Sequence, residues 1–185
     1  MEFPERNKIS NDKYLKTNYI DKKFNQTIDW KPKGLWYSSY DSWYNLILND
    51  IGLTEWLYDY LYKIDINNNN LTTIRDKNKN NKNKLLVIRD TKDFNIFCKK
   101  YKNKVKIISL GRSHHIIYIN WKKVSHDYGG IEIIPYLNKK RNIDWYYTWD
   151  VASGCIWNNE LIENITHVGE KDENYKYTSF TPLKI

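Results

Sequence analysis

Apolar residues fall in short blocks along the chain, and their spacing alternates between helical and strand periods. A strand is predicted over residues 8–10, followed by a polar, weakly patterned stretch to residue 29. Residues 33–39 read as a strand leaving a glycine turn. Asp41 or Ser42 can then cap a helix with Trp43, Leu46 and Ile47 on one face and Gly52 as its stop. Thr54 is placed to cap a second helix, because Leu53, Leu57, Tyr60 and Leu61 recur at helical spacing. Residues 84–89 read as a strand. Residues 91–101 read as a helix, with Phe94, Phe97 and Cys98 three and four apart. Further on, residues 104–110 and 116–120 are short apolar runs, 121–128 is a helix or a turn, and 131–135 is a strand stopped by proline. Residues 145–157 supply one or two strands broken near Gly154. The tail after Trp157 holds few apolar residues and is expected to drape over the core. The sum is an α+β single compact domain over residues 1–185, with a mixed sheet core of two small packed sheets and helices mainly in the N-terminal half.

The tryptophans sharpen this picture. Trp30, Trp36, Trp43 and Trp56 come early, Trp121, Trp145, Trp149 and Trp157 late, and none lies between 57 and 120. Two aromatic blocks around a polar middle are expected to meet in space, as core or as the lining of a pocket. The net charge of +8 is uneven: residues 63–106 carry 13 basic and 4 acidic side chains, whereas residues 34–62 carry no basic and 4 acidic ones. Much of the positive middle is an asparagine- and lysine-rich insertion around residues 66–84, read as a solvated loop. The functional alternatives are polyanion steering or a nucleic-acid-binding protein that uses this segment with exposed tryptophans for stacking, and a third is a non-catalytic interaction module whose aromatic blocks are only core. Two cysteines are too few for a disulfide framework, and the first residues lack the apolar stretch of a signal peptide. No apolar run approaches the ~18 residues that span a membrane. These features favour a cytoplasmic protein without membrane partners.

Two segments concentrate groups capable of chemistry. In the first, Pro32 extends the chain at Lys31, and Gly34 permits close approach of a ligand to the backbone. Leu35, Trp36, Tyr37 and Ser38 then offer amide donors, a hydroxyl and two aromatic faces, which suits either a flat heterocycle or a core strand. In the second, Gly129 and Gly130 precede Glu132, which alternates with Ile131 and Ile133. If the isoleucines face the core, Glu132 is exposed; otherwise it is a carboxylate held against an apolar wall. Asp150 lies among aromatics, where desolvation is costly without a partner or a task. His114 and His115 point to opposite faces of a strand, so no metal site is expected. Cys155 reads as a buried structural thiol.

The order of these blocks resembles the ADP-ribosyltransferase superfamily, in particular its small divergent viral and phage members. An early strand ending in Ser10 is followed by Gly34, Leu35, Trp36, Tyr37 and Ser38, then helices, then the glycine-rich strand with Glu132 and the aromatic segment with Asp150. The resemblance implies an NAD-dependent transferase that cleaves the nicotinamide–ribose bond and passes ADP-ribose to an acceptor, either a macromolecule (protein or nucleic acid) or a small molecule. NAD would be the co-substrate. Ser10 and Gly34 to Ser38 would hold it, with Trp43 packing behind the shelf, and Glu132 or Asp150 would be the catalytic acid.

Overall fold

A computed structural model describes residues 5–15, 24–49, 53–76, 81–109 and 112–179. The strands are β1 (Arg6–Ser10), β2 (Ile28–Asp29), β3 (Leu35–Ser39), β4 (Tyr60–Ile66), β5 (Leu71–Thr72), β6 (Leu85–Ile88), β7 (Lys102–Ser109), β8 (Arg112–Asn120), β9 (Gly130–Ile133), β10 (Ser153–Ile156), β11 (Ile162–Lys171) and β12 (Tyr177–Ser179). Among the described residues four α-helices accompany them: α1 (Ser42–Asn49), α2 (Thr91–Tyr101), α3 (Trp121–Asp127) and α4 (Asp144–Tyr147). The architecture is α+β. One sheet has nine strands in the order β12-β11-β4-β1-β3-β10-β9-β6-β5, and a second has three in the order β2-β8-β7. Only β5–β6 and β6–β9 run parallel in the large sheet.

Both faces of the large sheet are covered, and every residue of β6, β9 and β10 is buried. On one face Ile131, Ile133, Leu86, Ile88 and Cys155 meet the aromatic helices: Phe94 and Phe97 of α2, Trp121 of α3 and Trp145 of α4. Phe94 stacks on Trp145 with centroids 5.2 Å apart, and Trp145 meets Trp149 edge-on at 5.9 Å. On the other face Leu15, Leu35, Tyr62, Ile64, Leu161 and Ile165 form a second cluster. Such rings dominate core energetics through their large buried area. The two aromatic blocks do meet: β3 pairs with β10, and Trp36 lies edge-on to Trp149 with centroids 4.9 Å apart.

The structure corrects several expectations. Among the described residues helices are not concentrated in the N-terminal half, since α2, α3 and α4 all begin at or beyond residue 91, and one sheet is large instead of two being small. The expected second helix is a single 3-10 turn (Thr54–Trp56) followed by β4. There Tyr62, Ile64 and Ile66 are buried in strict alternation, and this period of two outweighs the helical spacing of Leu57, Tyr60 and Leu61. The insertion is partly built into the sheet: Leu71 and Thr72 pair with β6, and Thr72 and Asn81 are buried. Residues 77–80 lie outside the described chain, as does Gly52. Residues 145–157 give helix α4 and one strand, with Gly154 inside β10 instead of at a break. The tail holds β11, the longest strand, which pairs along β4.

Candidate functional site

The site originates in a strand pair that separates. β1 and β3 are antiparallel, yet they pair only through Arg6 opposite Ser39 and Asn7 opposite Ser38; the rest of β1 pairs with β4 alone. A cavity of about 260 Å³ opens where the two strands part. Its walls are Asn7, Lys8 and Ile9 of β1 and Trp36, Tyr37 and Ser38 of β3. Trp43 and Tyr44 of α1 close one side, Tyr40 and Asp41 the turn before it, and Lys31, Tyr58 and Leu61 complete the rim. The enclosed space is near the low end of small-molecule sites, roughly 300–1,000 Å³. It accommodates one flat ring with its substituents.

Polar groups in this wall are few and individually placed. Asn7 is 8% exposed, and its Oδ1 has no hydrogen-bond partner. Ser38 donates to the carbonyls of Asn7 and Tyr40. The Lys31 ammonium lies 5.4 Å from the centre of the Trp36 ring, a cation–π distance. Burial lowers the pKa of Lys31, and Asp150 opposes that shift, which places the Asp150 carboxylate within electrostatic reach of the rim. Burial lowers the Lys8 pKa as well. Two non-glycine residues bordering this region hold left-handed backbone, Tyr40 at φ 48° and Asp150 at φ 61°. Such conformations cost about 1–3 kcal/mol each and persist where surrounding structure enforces them, often at functional sites.

Glu132 has a different setting. Ile131 and Ile133 face the aromatic core, so Glu132 points to the opposite face, but that face is covered too and Glu132 is 1% exposed. Tyr37, Gly154 and Glu132 form one cross-strand row over β3, β10 and β9. A Cβ on Gly154 would lie 2.5 Å from Cζ of Tyr37, so only glycine lets the ring cross β10. The Tyr37 hydroxyl donates to Oε2 of Glu132 at 2.8 Å. Arg6 donates through Nε to the same oxygen at 2.7 Å and through Nη2 to Oε1 at 3.3 Å. Burial disfavours the Arg6 charge, but Tyr37 and Glu132 outweigh it and hold the guanidinium pKa above its ordinary value. Burial, reinforced by the Glu132 charge, pushes the Tyr37 hydroxyl well above its ordinary value. By strand alternation Trp36 and Ser38 face away from this triad. Glu132 is therefore outside the cavity and joined to it through Tyr37.

Of the residues expected to hold a ligand, Trp36, Tyr37, Ser38 and Trp43 line the cavity. Leu35 is buried in the second core cluster, and Gly34 backs onto Cys155 and Ile156. Ser10 is buried at the far end of β1 and accepts from the Asp12 amide. Of the two acids, Asp150 is exposed beside the rim and Glu132 is enclosed. Sequence reasoning missed Asn7 as a wall residue, and it missed Tyr58 because its segment was read as helix. Cys155 is fully buried, and burial drives its thiol pKa well up. Among the described residues no group of three His, Cys, Asp or Glu side chains is disposed to hold a metal, and no helix is long and apolar enough to cross a membrane.

Fold and site thus define an α+β domain with an aromatic cavity in a split between two strands. No protein-family model matches the chain, and neither curated proteins nor solved structures show significant similarity to it.

Proposed function

We propose that the cavity between β1 and β3 takes the nicotinamide ring of NAD, and that the protein is an NAD-dependent ADP-ribosyltransferase. One observation carries this reading: the four shelf residues Trp36, Tyr37, Ser38 and Trp43 converge on a single ring-sized cavity whose wall also includes Asn7. The indole rings supply stacking faces for a flat heterocycle. The cavity is too small for a dinucleotide, so the ribose and phosphates would extend over the rim, past Lys31 and Asp150.

In the proposed reaction the bond between ribose C1′ and the nicotinamide nitrogen breaks, and its electron pair leaves with nicotinamide. Positive charge develops on the ribose, and the acceptor nucleophile attacks C1′ and loses its proton. A carboxylate near the rim would stabilise that charge; Asp150, electrostatically linked to Lys31, is the candidate, with Asp41 of the cavity wall as the other acid nearby. Glu132 acts as a positioning residue, fixing Tyr37 in the wall. Removal of a preorganised electrostatic group of this kind costs about 10²–10³ in rate. A second reading, NAD binding without turnover, is favoured by the enclosure of Glu132 in its pair with Arg6.

A simple binding test bears on both readings. Intrinsic fluorescence titrated with NAD should change saturably, with Trp36 and Trp43 as reporters, and Trp36→Ala should abolish most of the change. An unchanged signal at millimolar NAD would refute both readings.

A further inference from the structure

A second feature lies in the part of the molecule built from α2, β7, β8 and α3. Residues 94–126 carry eight Lys and Arg and no Asp or Glu, which leaves 22 basic and 22 acidic side chains in the rest of the chain. Taken to the ends of α2 and α3, residues 91–127 carry nine basic side chains against Asp93 and Asp127, a net charge of +7 out of +8. In sequence the positive excess had pointed to the asparagine- and lysine-rich insertion instead. β7 and β8 form an antiparallel hairpin, and β7 is the free edge of the small sheet. Lys102, Lys104 and Lys106 are exposed and alternate along that edge. Bordering carboxylates are Asp127, which pairs with Lys100 at 2.7 Å, Asp144, which accepts from the Ile117 amide, and Asp29 on β2. Lys99, Lys102, Lys104, Lys106 and Lys122 form no ion pair with another described residue.

We propose that this lobe binds the phosphate backbone of a nucleic acid, with Lys102, Lys104 and Lys106 as its central row. Alternate residues of a strand are about 6.8 Å apart, since each rises ~3.4 Å. That matches two steps of the ~3.4 Å axial rise per phosphate on a nucleic-acid strand. The spacing distinguishes a regular polyanion from the laterally mobile charges of a lipid surface. Trp30, 38% exposed, stacks on Tyr118 of β8 at 5.8 Å and offers an adjoining ring for an unpaired base. The lobe is separate from the NAD cavity and does not depend on it.

The experiment measures fluorescence anisotropy of a short labelled single strand and of the matching duplex, using the full chain over a range of salt. Five unpaired lysines give a log–log slope of roughly −3.5 on a single strand, an affinity loss of about 100-fold between ~50 and ~200 mM salt. Lys102→Gln/Lys104→Gln/Lys106→Gln should reduce that loss to less than about tenfold. Lys77→Gln/Lys79→Gln/Lys82→Gln should leave the slope as it was. Three results would overturn the proposal: no binding that depends on salt, a slope insensitive to the first triple substitution, or binding only to vesicles of phosphatidylcholine and phosphatidylserine. The first two would leave the lysines as a device that blocks edge pairing of β7.

Discussion

Replacing Glu132 by alanine tests the buried triad. Arg6 is 4% exposed and Glu132 1%, so the variant leaves a guanidinium without its carboxylate in a site closed to water. Removing one partner of a buried ion pair costs about 3–5 kcal/mol, because the survivor keeps its desolvation penalty. The Tyr37 hydroxyl loses its acceptor in the same step, and an orphaned buried donor costs about 1–3 kcal/mol, which overlaps with the first figure. Domains of this size shift by about 2–4 °C per kcal/mol, so Tm should fall by roughly 6–20 °C. The comparison variant is Arg6→Met/Tyr37→Phe/Glu132→Leu, which removes every polar member and keeps comparable volume. Buried pairs replaced by apolar residues are often neutral or stabilising, so this variant should melt well above Glu132→Ala. Calorimetry of both decides the matter. A Glu132→Ala Tm within about 2 °C of the parent, or a triple variant as unstable as the single one, would refute the reasoning. The same cost means that lost turnover in Glu132→Ala would reflect structure as much as chemistry, so activity should be read in Glu132→Gln.

Further consequences follow from single positions. Gly154→Ala should lower Tm, because its Cβ meets the enclosed Tyr37 ring at 2.5 Å from Cζ, and Tyr37→Leu in the same chain should restore part of the loss. Asp150→Gly should keep or raise Tm, since glycine adopts the φ of 61° without strain, while NAD turnover drops about 10²–10³-fold. A variant with unchanged turnover would remove Asp150 from the chemistry. Lys100, Tyr101 and Lys123 overcome the burial that would raise the Asp127 pKa and hold it below the ordinary 3.8. Its folded value is the lower one, so its stabilisation is present above pH 3.8 and is lost as pH falls through the folded value. Tm measured against pH should therefore decline more gently below about pH 4 in Asp127→Asn, and an unaltered decline would exclude this linkage.

How far the chain could be read from sequence depended on whether the relevant force was local. Helix α2 was legible to its ends because Phe94 and Phe97 mark its buried face and Asp90 caps it through the Asp93 amide. β3 and β9 were legible for the same reason, and so were four of the seven cavity residues foreseen. β4 was not, because Leu57, Tyr60 and Leu61 mimic a helical stripe while the alternation of Tyr62, Ile64 and Ile66 begins only there. β11 was missed because its few apolar side chains, buried Ile165 and half-buried Ile162 among them, pack through a long-range pairing with β4 that no local pattern announces. The same limit hid the Arg6–Glu132 pair, whose members are 126 positions apart. Sequence logic made Glu132 exposed if Ile131 and Ile133 faced the core. They do face it, and Glu132 is enclosed nonetheless, because the opposite sheet face carries a core of its own.

The measurement closest to the central claim is release of free nicotinamide from NAD, followed by chromatography with the parent chain, Trp36→Ala and Asp150→Asn side by side. The account predicts steady release by the parent, loss in Trp36→Ala through weakened binding, and loss in Asp150→Asn with binding retained. Saturable NAD binding with no nicotinamide released under any condition would contradict the transferase reading and leave a binding protein. Equal release by all three chains would place the chemistry outside the cavity.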